Sequence, residues 1–88
     1  MAVLQSMPQP TGVVAEYHRI RRLAIDYDAG TVEVEIAGYL SEKARRDGAA
    51  PMTAMNMTLR GYDPKDDPRA WAYAQMKATE HWSDAKDA

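Results

Sequence analysis

Residues 20–40 have the sequence IRRLAIDYDAGTVEVEIAGYL, and the rest of the chain is organised around them. From Thr31 to Leu40, apolar side chains alternate with polar ones, as they do in a strand with one buried face. The apolar face holds Val32, Val34, Ile36 and Leu40, and the other face holds Glu33, Glu35 and Tyr39. Because valine and isoleucine also favour extended backbone, we predict a half-buried strand on which the rest of the chain packs.

A β-hairpin is predicted at Asp28–Thr31, just before this strand. The turn contains a glycine, which tolerates positive φ, and an aspartate, which can accept hydrogen bonds from nearby backbone. A register that places Tyr27 opposite Val32 and Ile25 opposite Val34 gathers the apolar side chains of both strands on one face. We therefore predict that register.

The strand that leads into the hairpin covers residues 13–26, which is long for a strand. Its alternation breaks in the middle, where Arg19 and Arg21 occupy positions that should be apolar and Ile20 takes a polar position. Either a β-bulge within residues 18–22 shifts the phase, or two shorter strands meet there. We favour one bent strand.

Three more elements follow the hairpin. Ser41 is a good N-cap for one or two helical turns that end at Gly48. Residues 52–60 alternate again and predict a third strand. Asp67 followed by Pro68 predicts the start of a helix that runs to about residue 83. Its apolar stripe comprises Trp71, Ala74, Gln75, Ala78 and Trp82, widened by Tyr73 and Met76.

These elements predict an α+β fold, in which a three-stranded antiparallel sheet with a long bent first strand is covered on one face by the C-terminal helix. Residues 1–12 are expected to form a flexible arm, residues 13–83 a single domain and residues 84–88 a polar tail. So small a sheet leaves open edges, which invite strand addition or contact between subunits.

Composition points to association as the source of extra stability. An 88-residue chain has a modest core, and a chain without cysteine cannot supplement it with disulfides or thiolate metal sites. The net charge is −2 and charges of both signs are spread along the chain, so no strong positive field is expected to attract nucleic acid or an anionic membrane. We expect no secretory leader and no membrane span.

No catalytic, cofactor-binding or metal site is predicted, and we expect the protein not to be an enzyme. His18 and His81 lie on different elements and are expected at the surface. The serines lack a strand-to-helix elbow with glycines, and no glycine-rich phosphate loop is present. Glu33 and Glu35 share one face of a strand, where solvation is the ordinary explanation of such a pair.

The aromatic side chains suggest an interface, because the chain has five tyrosines and two tryptophans but no phenylalanine. Tyr and Trp are enriched at interfaces, although they also suit the rim of a small core. Arginines on an edge strand can limit aggregation or pair with acids of a partner. The candidate interface residues are Tyr17, Arg19, Arg21, Tyr39, Trp71, Tyr73 and Trp82.

Several segments together resemble small proteins encoded among the tail genes of bacteriophages and prophages. They are GVVAEYHRI at residues 12–20, DAGT at residues 28–31, GYLSEKARRDG at residues 38–48, and Pro51. The resemblance covers roughly residues 12–62 and includes no catalytic motif.

The resemblance implies a structural part of a tail tip, baseplate or fibre attachment, present in several symmetric copies. Such a protein would be a virion component assembled in the cytoplasm of the bacterial host, with itself or larger tail proteins as partners. A regulatory module that binds nucleic acid through residues 19–22 is the alternative, which the acidic balance of the chain disfavours. An adhesion module that binds sugar through exposed Trp and Tyr also stays open.

Overall fold

The computed structural model describes residues 2–88, which form a five-stranded antiparallel sheet with two short α-helices and one 3₁₀ helix. The strands are ordered β4-β3-β2-β1-β5 across the sheet. The elements are β1 (Val3–Pro8), β2 (Val14–Asp26), β3 (Thr31–Tyr39), α1 (Glu42–Arg46), β4 (Thr53–Arg60), α2 (Pro68–Lys77), the 3₁₀ helix (Glu80–Trp82) and β5 (Lys86–Asp87). No helix within residues 2–88 has the length and apolar character that a bilayer crossing requires.

The predicted three-stranded sheet is wrong, because both ends of the chain contribute strands. β1 lies within the expected arm and pairs with the first part of β2, where Val3 is opposite His18. β5 lies within the expected tail and pairs with β1, with Val3 opposite Asp87. Pro8 and Pro10 weaken the strand pattern of β1, although its partner β2 follows after residues 9–13. The polar tail shows no strand pattern because the partners of β5 are Val3 and Leu4, at the other end of the chain.

The hairpin forms as expected, but its register differs from the predicted one by two residues. Ile25 is opposite Val32 and Leu23 is opposite Val34, so apolar side chains still meet on one face. The difference arises because residues 27–30 all lie in the loop, where Tyr27 is 67% exposed.

Asp26 stabilises this longer loop. Its carboxylate accepts hydrogen bonds from the N–H groups of Asp28 and Ala29, both at 3.0 Å. Its carbonyl oxygen accepts from the N–H of Gly30 at 2.9 Å. Gly30 has a φ of 68°, which glycine adopts without steric strain.

β2 is a single strand of 13 residues, and its pairing with β3 shifts between Ile20 and Arg22. The bulge lies within the predicted interval and places Arg21 as the extra residue. The bulge explains why the alternation of the sequence breaks there, because it returns Leu23 and Ile25 to the apolar face.

Both helices begin where the sequence predicts. Ser41 Oγ accepts a hydrogen bond from the N–H of Ala44 at 3.1 Å, and Asp67 Oδ1 accepts from the N–H of Ala70 at 3.0 Å. α2 ends at Lys77, earlier than expected, and the 3₁₀ helix follows it.

The predicted apolar stripe of α2 is wrong in part. Ala74, Gln75 and Ala78 are exposed, whereas the buried residues of α2 are Ala72, Tyr73 and Met76. Trp82 is buried too, but it belongs to the 3₁₀ helix, which is separated from α2 by Ala78 and Thr79. The core thus lies between α2, the 3₁₀ helix and one face of the sheet, formed by Val3, Ile20, Val32, Val34, Ile36 and Leu59.

Candidate interaction site

Tyr17 and Tyr39, two of the predicted interface residues, lie opposite each other on β2 and β3. Each is 7% exposed, and their rings meet edge to face with centroids 6.3 Å apart. Together with Ala2 and Ala37 they form a small cluster separate from the main core. Their rings therefore stabilise the chain itself, and little of either ring faces solvent.

The three predicted aromatic residues near the C-terminus also pack within the chain. The Tyr73 hydroxyl accepts a hydrogen bond from the N–H of Ile20 at 2.8 Å, and burial raises the pKa of this phenol. Trp82 is fully buried. Trp71 is half-buried and meets Tyr62 edge to face, with centroids 5.1 Å apart.

The predicted arginines lie on β2. Arg19 is half-buried, while the Arg21 guanidinium donates to Glu35 through Nε at 3.0 Å and through Nη2. Arg22 Nη1 is 3.8 Å from the other oxygen of Glu35. Glu35 therefore offsets two of the positive charges in the segment proposed for nucleic-acid binding.

The sheet face with Glu33 and Glu35 carries a shallow depression of about 580 Å³. Its side-chain lining is mainly polar, from Arg22, Glu33, Glu35, Asn56 and Thr58. Within residues 2–88, no group of three or more His, Cys, Asp or Glu side chains is arranged to hold a metal ion.

The prediction that His18 lies at the surface is wrong, because its side chain is only 1% exposed. It packs edge to face on Trp82 with ring centroids 5.0 Å apart, and Nε2 donates to the carbonyl of Gln5 at 2.8 Å. Burial lowers the pKa of His18, outweighing the carbonyl of Gln5, which favours the charged form. From its place on β2, His18 thus contacts both β1, through Gln5, and the 3₁₀ helix, through Trp82.

The feature most available to a partner is the outer edge of β4. Within residues 2–88, β4 has β3 on one side and no strand on the other. Its pairing with β3 runs from Arg60 to Thr53 without a register shift, so the strand is regular along its length. On the side of the sheet that faces α2, Met55 and Met57 are half-buried.

The edge of β4 lacks three of the devices that often protect an outer strand. Residues 53–59, TAMNMTL, contain no charge and no proline, and no bulge interrupts them. We call the outward-facing backbone of β4 the open edge.

The other edges are protected or short. β1 pairs with β2 only as far as His18, so residues 19–26 have a strand neighbour on one side only. That stretch carries the bulge at Arg21 and three arginines, and the hydroxyl of Tyr73 already accepts from Ile20. β5 has two residues. Short length, bulges and positive charge all disfavour strand addition.

The sequence predicts a strand over residues 52–60 and open sheet edges, but it does not assign an open edge to that strand. A signal was present, since a run of uncharged residues with strand alternation marks a pairing strand. Whether such a strand lies at the centre or the edge of a sheet depends on the topology. Comparisons with protein-family models, curated proteins and solved structures found no match for this chain.

Proposed function

We propose that this chain is a non-enzymatic structural or assembly subunit of a bacteriophage tail, which acts through protein–protein contacts in a symmetric oligomer. The observation that carries the proposal is the open edge of β4. The resemblance of residues 12–62 to small proteins of phage tail regions supplies the setting: a virion component assembled in the host cytoplasm.

An open strand edge suits assembly because its N–H and C=O groups form a fixed row of donors and acceptors. A strand from another chain can complete that row with main-chain hydrogen bonds, while side chains on the two faces select the partner. Pairing also covers apolar surface next to the edge, here at Met55 and Met57, which stabilises a chain with a small core.

The test is the composition of tail particles made by cells that carry the encoding genome. Particles are purified by density-gradient centrifugation, and copies of the chain per particle are counted by mass spectrometry against isotope-labelled peptides. We expect a fixed copy number that matches the symmetry of a tail component. If the chain is missing both from intact particles and from assembly intermediates, the proposed function is wrong.

Substitution of Thr58 by proline in the same genome should lower the copy number, since it removes one outward donor from β4. Tyr27→Ala is the matched control, because Tyr27 lies in the hairpin loop and is 67% exposed. Equal copy numbers for the two variants would contradict a role of the open edge in assembly.

A further inference from the structure

The hydrogen bonds at the end of β4 show which of its residues face outward. The N–H of Gly61 donates to the carbonyl of Gly30 at 3.0 Å, one step beyond the last strand pair, Thr31 with Arg60. In an antiparallel ladder, every second residue bonds to the partner strand, and the residues between them point their N–H and C=O groups away. The outward-facing residues are Ala54, Asn56, Thr58 and Arg60.

The two faces of β4 differ in character: one carries exposed side chains and the other carries side chains that pack toward the core. The outward-bonding residues project their side chains from the sheet face that carries Glu33 and Glu35, and Ala54, Asn56 and Thr58 are exposed there. The side that faces the core carries Thr53, Met55, Met57 and Leu59. A strand that pairs with β4 should therefore be apolar on the core side and neutral on the other.

We propose that β4 pairs in antiparallel orientation with β4 of a second copy of this chain, about a two-fold axis that passes near Met57. The inference rests on the proposed function and names its interface. This register places Asn56 opposite Thr58 and Ala54 opposite Arg60 of the second copy, so that all four outward residues find partners. It joins the two sheets into one continuous sheet.

A second copy fits this edge because β4 is complementary to itself. Met57 meets Met57 of the second copy on the core side, and Met55 meets Leu59, so apolar side chains stay on one face. The only charged residue of β4 is Arg60, and the register places the two arginines at opposite ends of the paired strands. No like charges are brought together. A two-fold axis also makes the contact close on itself as a dimer.

The first experiment compares Thr58→Pro with Thr58→Ala by light scattering across a range of protein concentrations. Proline at this position removes an outward N–H that β3 does not use, whereas alanine keeps it. We expect the unsubstituted protein and Thr58→Ala to form dimers of similar affinity. Thr58→Pro should associate about tenfold more weakly or worse, because the two-fold axis removes two hydrogen bonds.

Circular dichroism shows whether Thr58→Pro folds. If it does not, Thr58→Lys replaces it as the test variant, because it keeps the N–H and adds a charge at the edge, which opposes pairing. A dimer that both Thr58→Pro and Thr58→Lys leave unchanged would overturn the proposed interface.

The second experiment tests the register with a single introduced cysteine. The natural sequence contains no cysteine, so any disulfide must join two introduced residues. Residues that meet at a position without direct hydrogen bonds have Cα atoms about 4.5 Å apart, within the range for a disulfide. Met57→Cys should form a covalent dimer rapidly under mild oxidation. Glu33→Cys, on the neighbouring strand β3, is the matched control, and equal cross-linking rates would overturn the pairing.

These outcomes separate the interface from the proposed function. A protein that is monomeric at every concentration, yet present in tail particles at fixed copy number, would overturn the β4 pairing and leave the structural role in place. A dimer that cross-links at Met57→Cys, from a chain that is missing from all particles, would support the pairing and contradict the phage role.

Discussion

Gly38 lies opposite His18 on β2 and Thr53 on β4, with side chains close on both sides. A Cβ atom at Gly38 would be 2.6 Å from Thr53 Cγ2 and 2.9 Å from His18 Nδ1. Both distances are shorter than van der Waals contact. The glycine is therefore required for space, and it leaves room beside β3 for the imidazole that packs on Trp82.

Substitution of Gly38 by alanine should lower the free energy of unfolding by about 1 to 3 kcal/mol, because overpacking forces neighbours to move. Urea denaturation followed by circular dichroism measures the change. Adding Thr53→Ser removes the nearest clashing atom and should recover part of the loss. If the two substitutions simply add, the clash with Thr53 is not the cause.

The burial of His18 predicts a stability that depends on pH. Its pKa in the folded chain is lowered from the ordinary value of 6.5, so the unfolded chain binds more protons at mildly acidic pH. The neutral imidazole thus contributes stability that is fully present above pH 6.5. That stability is lost as the pH falls through 6.5 toward the lowered pKa.

Thermal unfolding between pH 7.5 and about 5.5 tests this, in a range where most carboxylates stay charged. We expect the melting temperature to fall across the range. His18→Gln should be less stable, and its melting temperature should depend less on pH, because the substitution removes the buried imidazole. An unchanged slope in His18→Gln would show that another group titrates.

At the scale of elements, Tyr73 joins α2 to the sheet. Its hydroxyl lies where β1 has ended, and there it accepts from the N–H of Ile20, which belongs to the part of β2 that has no strand on that side. A buried N–H without an acceptor is costly. The side chain of α2 thus replaces the missing strand at that position.

Tyr73→Phe should therefore lower the free energy of unfolding by about 1 to 3 kcal/mol, as measured by urea denaturation. Tyr27→Phe is the matched control, because the Tyr27 side chain is largely exposed in the hairpin loop, and it should leave stability unchanged. Equal effects of the two substitutions would show that the bond to Ile20 adds nothing to stability.

At the scale of the whole molecule, the two ends of the chain meet at one side of the sheet. β5 pairs with β1, the N–H of Ala88 donates to the carbonyl of Ala2 at 3.0 Å, and Lys77 Nζ is 2.6 Å from Asp87 Oδ1. Gln5 Nε2 also donates to the carbonyl of His81 at 2.7 Å. These bonds hold β1 in place between β2 and β5.

Deletion of residues 84–88 should lower the free energy of unfolding by about 1 to 3 kcal/mol, since it removes the outer ladder of β1 and the packing of Ala85. Hydrogen exchange should show that protection is lost first in β1. Asp87→Asn keeps the strand but weakens the ion pair with Lys77, so it should have little effect. A deletion variant as stable as the full chain would mean that β5 is too weakly paired to matter.

Elements whose signals are local could be predicted from the sequence alone. The alternation of β3 and β4, the bulge in β2 and the two helix starts at Ser41 and Asp67 all follow from patterns within a few residues, and the structure confirms them. The open edge, in contrast, was predicted only in general terms. Nothing in residues 53–59 alone says that β4 is the outermost strand.

Tertiary contacts set the places of the chain ends, the hairpin register and the burial of particular side chains. β5 pairs with residues of β1 that lie more than 80 positions away, as Val3 with Asp87, and a polar tail carries no local sign of such a partner. β1 pairs with β2 across residues 9–13, but Pro8 and Pro10 weaken its strand pattern. His18 has a polar side chain and is buried because Gly38 leaves room and Gln5 supplies an acceptor. Such positions depend on partners that are distant in sequence, and local propensity cannot identify them.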